Sequence, residues 1–498
     1  MHREIRVFMV AAEGVPFAKT GGLADVVGAL PYALAEHGCS VRCFLPRYRQ
    51  VDLEKFGLST LLPRRTVSFA GAEVAYRVLA APAERGVEWL FLDAPGFYDR
   101  DALYGTYGED YPDSCERFAF FCQQALATVR ELDWRPDVVH CHDWQSGLIP
   151  AYLKLKTRTG IIDTFDTFFS EIRSLFTIHN IGYQGMFSAD KLWITGFSPE
   201  HFTYDKLEYW GSINFLKAGI VFADRISTVS KRYSEEIQTE AFGRGMDGVL
   251  RARAADLTGI LNGIDVETWN PATDPHIAAN YTAEDLRGKR ECRRALSKEV
   301  GLNPRVRVPL IGIISRLEEE KGFDLLSSAI PRIMAMGAQM VVLGTGSPEY
   351  HTILSRMARR YSGQFAAVLA FDPVLAHRVE AGADMFLMPS KYEPCGLTQM
   401  YSMRYGTVPI VHATGGLADT VTNYDGRTKR GNGFSFSRYS VDALLTAVRR
   451  AMKFFNDRER WESIMRAGMR QDLSWSAAAE QYRVLYDELL NRADHTTS

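Results

Sequence analysis

Six residues occur twice in this 498-residue chain, letter for letter: Thr20-Gly21-Gly22-Leu23-Ala24-Asp25 and Thr414-Gly415-Gly416-Leu417-Ala418-Asp419. Each copy follows a strand-like run and opens a helix-like one, so backbone N–H groups collect where the helix dipole favours an anion or a hydroxyl. Paired glycines permit positive φ and a close approach of backbone to ligand. A tight strand-to-helix turn uses the same glycines merely to relieve strain. A single copy does not separate these readings; two copies, one per half of the chain, favour two ligand-facing loops. Arg316 and Lys321 directly follow the strand-like Leu310 to Ile314, at the sheet edge where α/β ligands bind. Arginine offers phosphate a fork of donors and lysine a compact charge. The same two cations flank Glu318-Glu319-Glu320, with which exposed side chains pair by default. Lys19 precedes the first loop and is otherwise a solvated turn lysine, while Asp25 suits either a helix first turn or a polar ligand contact. His140-Cys141-His142-Asp143 has the letters of a metal cluster, and Asp99-Arg100-Asp101 those of a metal-holding D-x-D. The first belongs to a strand end and the second is a pattern frequent by chance, so no metal site is expected.

These residues need elements to hold them. Short apolar runs alternate with glycine turns and helix-like stretches: Arg6 to Val10, Val41 to Leu45, Asp137 to His140 and Leu175 to Ile178. The alternation restarts with Leu310 to Ile314, Met340 to Leu343 and Met385 to Met388, which predicts an α/β chain of two doubly wound domains. Gly259 to Asp265, followed by Trp269-Asn270-Pro271, suits a change of domain. The expected division is 1–257 and 258–475, with a helix in 476–498 joining the first domain. A net charge of −2 excludes a global basic field for nucleic acid or anionic membrane, so phosphate binding has to be local. Seven scattered cysteines without a C-x-x-C pair argue against disulfides and structural zinc. No signal-peptide pattern and no long apolar span occur, and a cytoplasmic location is expected.

Lys19 to Pro31 resembles the N-terminal signature of glycosyltransferase family 5, the bacterial glycogen and plant starch synthases. The likeness continues through His140 to Trp144, Thr177 to Asn180 with Tyr183-Gln184-Gly185, Leu261 to Asp265, Ser315-Arg316-Leu317 with Lys321-Gly322, Glu393 to Gln399 and the second Thr-Gly-Gly-Leu-Ala-Asp. The resemblance implies the GT-B architecture: two Rossmann-like domains, an interdomain cleft holding the active site, and a C-terminal segment returning to the first domain. It implies retaining transfer of glucose from ADP-glucose to the non-reducing 4-hydroxyl of glycogen or another α-1,4-glucan, with no metal or cofactor.

The same likeness assigns roles. Arg316 and Lys321 are expected to meet the diphosphate, where charge grows in the transition state. Glu393 would bind glucose hydroxyls and stabilise positive charge on the ring; otherwise it is an exposed loop acid before Pro394. His179 would touch the donor glucose, though a buried hydrogen-bonded histidine is the common alternative. Lys19, Gly22, Asn180, Asn262, Gly396, Leu397, Thr414, Gly415 and Gly416 fall on the donor side, with Cys395 beside them as a small apolar filler. Asp25, Tyr104 and Asp143 fall on the acceptor side, the loop around Tyr98 and Tyr104 offering rings to sugar faces. Phe371 stands where relatives carry a tyrosine near the adenine, which keeps stacking and loses a hydroxyl. The stretch Lys156 to Arg173 is longer than usual and fits a lid, an oligomer contact or a longer helix and loop. A nucleotide-dependent oxidoreductase lacks its G-x-G-x-x-G after the first strand. A non-catalytic glucan binder would not need Arg316, Lys321 and Glu393 together. A related transferase with a small acceptor, of the sucrose or trehalose synthase kind, is the nearer alternative.

Overall fold

In β1 (Ile5–Val10) every residue except Arg6 is buried, the mark of a strand covered on both faces at the centre of a parallel sheet. A computed structural model describes residues 3–106, 109–304 and 308–491. Around β1 gather β2 (Cys39–Pro46), β3 (Ser59–Phe69), β4 (Ala72–Ala80), β5 (Val87–Asp93), β6 (Val138–His142), β7 (Arg173–Ile178), β8 (Arg225–Thr228) and β9 (Leu257–Gly259). Their order across the sheet is β9-β8-β7-β6-β1-β2-β5-β4-β3. Only the pairings of β4 with β3 and β5 are antiparallel, and β3 is accordingly largely exposed. β1 pairs with β2 on one side and β6 on the other, so the loops leaving β1 and β6 emerge together at their carboxyl ends.

The described residues of Met1–Val229, Ser234–Ile260 and Trp475–Ser498 form this first unit. The chain leaves it between Ile260 and Leu261, against an expected boundary after 257. The terminal helix Trp475–Asn491 packs on the helix Gly22–Glu36. Tyr486 Oη lies 2.8 Å from His140 Nδ1, and the Arg483 guanidinium donates to the Arg3 carbonyl at 3.0 Å. Residues 492–498 of the expected terminal segment lie outside the described residues.

The second unit comprises Ser230–Tyr233 and the described residues of Leu261–Ser474. Its sheet is wholly parallel: β10 (Leu310–Ile314), β11 (Gln339–Leu343), β12 (Phe365–Val368), β13 (Met385–Met388), β14 (Val408–His412) and β15 (Phe434–Phe436) run in the order β12-β11-β10-β13-β14-β15. That is the doubly wound order of dinucleotide-binding folds, with its reversal between β10 and β13. Ile311, Val342 and Leu387 of the sheet pack in one buried cluster with Leu326 and Ile330 of the helix Phe323–Ala335.

Candidate active site

The reversal point between β10 and β13 carries a pocket of about 190 Å³. Ser315, Arg316 and Lys321 line it from beyond β10, and Pro389, Ser390 and Glu393 from beyond β13. Glu393 is 8% exposed, so it is not the solvated loop acid of the alternative reading. The Lys321 ammonium donates to both of its oxygens at 2.9 and 2.7 Å, and Ser390 Oγ donates at 3.0 Å. A buried carboxylate of this kind needs such partners, because an unpaired one would cost several kcal/mol of desolvation, of order 3–5 when a partner is removed. Lys321 therefore ignores the neighbouring glutamates. Arg316 does not: its guanidinium lies 3.0 Å from the Glu318 carboxylate, both half-exposed, as the surface-pair reading has it. Both cations nevertheless line one pocket with one carboxylate.

The loop bearing Glu393 rests on the second copy of the repeat. Gly416 N–H donates to the carbonyls of Glu393 and Pro394 at 3.2 and 3.1 Å. A Cβ on Gly415 would stand 2.0 Å from the Glu393 carbonyl oxygen, and one on Gly416 1.9 Å from that of Cys395. Here the glycines allow backbone-on-backbone packing, and the Gly416 amide, expected on the donor side with Thr414 and Gly415, is turned to protein within the unit; Thr414 itself is buried. Cys395 is buried, and burial pushes its thiol up to about 12, the state of an inert filler. Gly396 takes φ 68°, the left-handed turn that delivers Leu397 to the head of the helix Thr398–Arg404. Asn262 Oδ1 is buried with no hydrogen-bond partner among the described residues. Phe371 is 85% exposed, just before the helix Pro373–Gly382 that Asp372 caps.

In the first unit the equivalent loop is held from below by a residue that the sequence did not single out. Glu13, 4% exposed, accepts from Thr20 N–H (2.6 Å), Thr20 Oγ1 (2.6 Å), Gly21 N–H (3.1 Å) and Tyr104 Oη (2.7 Å). One carboxylate thus orders the glycine loop and the Tyr104 loop together. Neither Gly21, at φ −146°, nor Gly22 adopts positive φ, so the expected left-handed glycines are absent from this copy. Both are exposed, and a Cβ on either would meet nothing within 4 Å. Lys19 Nζ pairs with Asp25 Oδ1 at 2.6 Å across the same turn.

β6 ends at His142 and β7 at Ile178, and the residues beyond them interlock. Asp143 has φ 56° with ψ −179°, a backbone that non-glycine residues rarely adopt, and its Oδ1 accepts from the His179 N–H at 2.7 Å and more weakly from Asn180 N–H at 3.5 Å. Asp143 thereby shapes the turn that presents His179 and Asn180. Burial pushes its carboxyl up to about 7 despite these bonds. His179 Nε2 lies 2.9 Å from His142 Nδ1, and His140 Nε2 2.6 Å from Thr177 Oγ1. Burial brings His179 and His140 down to about 3 and His142 well below its ordinary value, so all three are neutral at pH 7. Asp99 and Asp101 are both taken up by Arg49, and Arg100 by Asp113 at 2.5 Å. Up to β7 the stretch 156–172 is a loop with one 3-10 turn, Thr167–Phe169, against the helix Ser114–Glu131: Thr159 Oγ1 donates to Gln123 Oε1 at 2.8 Å and Arg130 to Asp166 at 2.6 Å.

Residues 6–252 match the family model for the starch synthase catalytic domain and 298–467 that for glycosyl transferases group 1. A glycogen synthase of Koribacter versatilis (strain Ellin345) is 45% identical over 484 residues, covering 97% of this chain and 98% of that one. Among solved structures, the catalytic domain of Starch Synthase IV from Arabidopsis thaliana bound to ADP and acarbose matches with a TM-score of 0.87 at 34% identity, over 98% of this chain and 100% of that one. Sucrose-phosphate synthase from Thermosynechococcus elongatus matches at a TM-score of 0.59 and 17% identity, with 98% and 100% covered, a likeness of fold alone.

Proposed function

The chain belongs to the family of bacterial glycogen synthases and starch synthase catalytic domains, and from that premise we propose that it moves glucose from ADP-glucose to the non-reducing 4-hydroxyl of an α-1,4-glucan, with retention. The observation that carries the donor half of this reading is the Lys321–Glu393 pair in the reversal-point pocket, with Arg316 on the same wall. A glycosyl diphosphate leaves with growing negative charge, and the ring it leaves behind becomes positive. Arg316 and Lys321 meet the first charge and Glu393 the second. Lys321 donates to Glu393 and has three N–H donors to share with a bound phosphate, so binding and charge development are linked at one ammonium.

In the reaction the bond from anomeric carbon to diphosphate oxygen breaks, and the acceptor O4 bonds to that carbon on the same face. Its proton goes to the departing phosphate, so no enzyme base is required at this step. Asn262, whose buried side-chain oxygen has no hydrogen-bond partner among the described residues, and the head of the helix Thr398–Arg404 supply further polar groups toward the donor. Phe371 gives the adenine a face to stack on. On the acceptor side we assign Asp25, Tyr104 and Asp143, with His179 and Asn180 presented by the Asp143 turn. Neutral His179 serves as a hydrogen-bonding group toward the donor glucose rather than as a cation. The ADP and acarbose in the Arabidopsis structure support a nucleotide and a glucan-like chain as ligands of this fold. The cations of the pocket make a metal unnecessary, and we place the protein in the cytoplasm, acting on glucan without nucleic acid or membrane.

Transfer of radiolabelled glucose tests this reading. Glycogen and maltooligosaccharides should be extended from ADP-glucose in the presence of EDTA, and monosaccharides should not. Loss of activity on chelation, restored by Mg²⁺, would overturn the metal-free mechanism. A higher kcat/KM with UDP-glucose would overturn the donor, and transfer to a small acceptor would favour the sucrose or trehalose synthase alternative.

A further inference from the structure

At the opposite, amino-terminal edge of the second unit's sheet lies a groove of about 1120 Å³, far larger than the pocket around Glu393. It is bounded by the helix Arg287–Glu299, by Asp384 just before β13, and by the helix Arg458–Met469. Along the first helix two adjacent rows face it: Arg290, Arg294 and Lys298 at four-residue spacing, and beside them Lys289 and Arg293. Arg458 adds a guanidinium from across the groove. Like charges four apart weaken a helix, so the row works against its own element. The acids in the lining are already engaged. Asp384 accepts from Leu310 N–H at 2.8 Å and contacts Arg293, while Glu462 binds Arg458 and Arg466 at 2.9 and 3.1 Å. Arg294 has Glu291 at 2.6 Å. Arg290 and Lys298 are exposed and have no ion-pair partner among the described residues. Lys289 is buried, which pulls its ammonium down to about 7, and it donates inward to Thr407 Oγ1 at 2.7 Å and to the Ala381 carbonyl at 3.1 Å, so the lasting charge of the groove is that of the arginines and Lys298.

Positive charge is therefore concentrated in one concavity of a chain whose net charge is −2. The floor is different in kind: Leu286, Leu302, Trp461 and Met465 give it an apolar surface. A bare ion would use the rim and leave the floor wet. A large apolar-floored pocket with a few convergent charges is the usual form of a site for an organic anion.

We infer that this groove binds a phosphate-bearing small molecule, its phosphate on Arg290, Arg294 and Lys298 and its organic body on the floor beside Trp461, at a site separate from the donor pocket. The full-length Arg316→Ala/Lys321→Ala protein, whose donor pocket has lost both cations, is titrated calorimetrically at low ionic strength with AMP, with glucose 6-phosphate and with inorganic phosphate. One saturable site per chain is expected for at least one of the two organic phosphates, tighter than for inorganic phosphate. Its Kd should rise tenfold or more when Arg290→Glu/Lys298→Glu is added, or Arg290→Gln/Lys298→Gln should the charge reversal fold poorly. The site does not exist as proposed if neither organic phosphate binds saturably, if inorganic phosphate binds as well as they do, or if binding survives loss of Arg290 and Lys298.

Discussion

The two copies of Thr-Gly-Gly-Leu-Ala-Asp share every letter and do different work. In the first unit the copy is reached through the loop 11–21, which Glu13 ties down, and its glycines end in open space at the head of a long helix. In the second unit β14 stops at His412, Thr414 is already the cap, and the glycines are pressed against the backbone of Glu393 to Cys395. Both leucines are buried and both copies begin a helix, so the local code is obeyed twice. What differs is the length of chain between strand and helix, and hence how far the loop stands off the sheet. A short motif sets a turn; its surroundings decide whether the turn meets ligand or protein.

The sharpest way to break this contrast is to give each copy a methyl group. Gly416→Ala places a carbon against the Cys395 carbonyl, and the Glu393 loop has to move. A stability loss on the order of 1–3 kcal/mol, as for an overpacked core, should accompany loss of activity. An unshifted melting temperature would show that the second copy is not a packing surface. Glu13→Gln comes next. The amide can keep only part of the four hydrogen bonds that the carboxylate accepts from Thr20, Gly21 and Tyr104, and it loses their charge assistance, for about 1 kcal/mol; an unshifted melting temperature would deny Glu13 its role.

The first unit also stores neutral histidines, whose effect on pH dependence has a definite sign. His140 and His179 are lowered to about 3 by burial, so the stability they confer is present above the ordinary histidine value of about 6.5 and lost as pH falls toward 3. Asp143, raised to about 7, works the other way, losing stability as pH rises from about 4 through 7. The histidines outnumber it. Unfolding by urea should therefore be easier at pH 5 than at pH 7.5, and His140→Gln should reduce that difference by roughly 1–2 kcal/mol; an undiminished difference would mean that His140 takes no part. The smallest effect is expected from Gly21→Ala and Gly22→Ala, which should change stability by less than about 0.5 kcal/mol. If their KM for donor or glucan also stays at the wild-type value, the open loop does not approach a ligand.

Much of this was legible in the sequence because the apolar runs are short and clearly bounded. Leu310 to Ile314 and Met385 to Met388 are strands at those residues, and their adjacency creates the pocket. The fold follows from such runs. The partner of Glu393 was not legible: Lys321 stands 72 positions away beside three nearer glutamates, and only the reversal of strand order brings it across. Glu13 was missed because an acid in a loop is ordinarily solvated; the usable signal was its place between a strand that is apolar except for Arg6 and the glycines. Asp143 was placed near the acceptor, whereas its visible task is to bend the His179 turn, which depends on a left-handed φ that no spacing announces.

The account rests on a buried carboxylate paired with a lysine that we propose meets the donor phosphate, and Glu393→Gln tests it most directly. The substitution keeps the shape and removes the charge, so steady-state transfer to glycogen should fall by on the order of 10²-fold or more in kcat. Titration of the same folded variant with ADP should show binding retained, since Arg316 and Lys321 remain. A near-wild-type kcat in a folded Glu393→Gln protein would contradict the account and leave the phosphate cations to act without it.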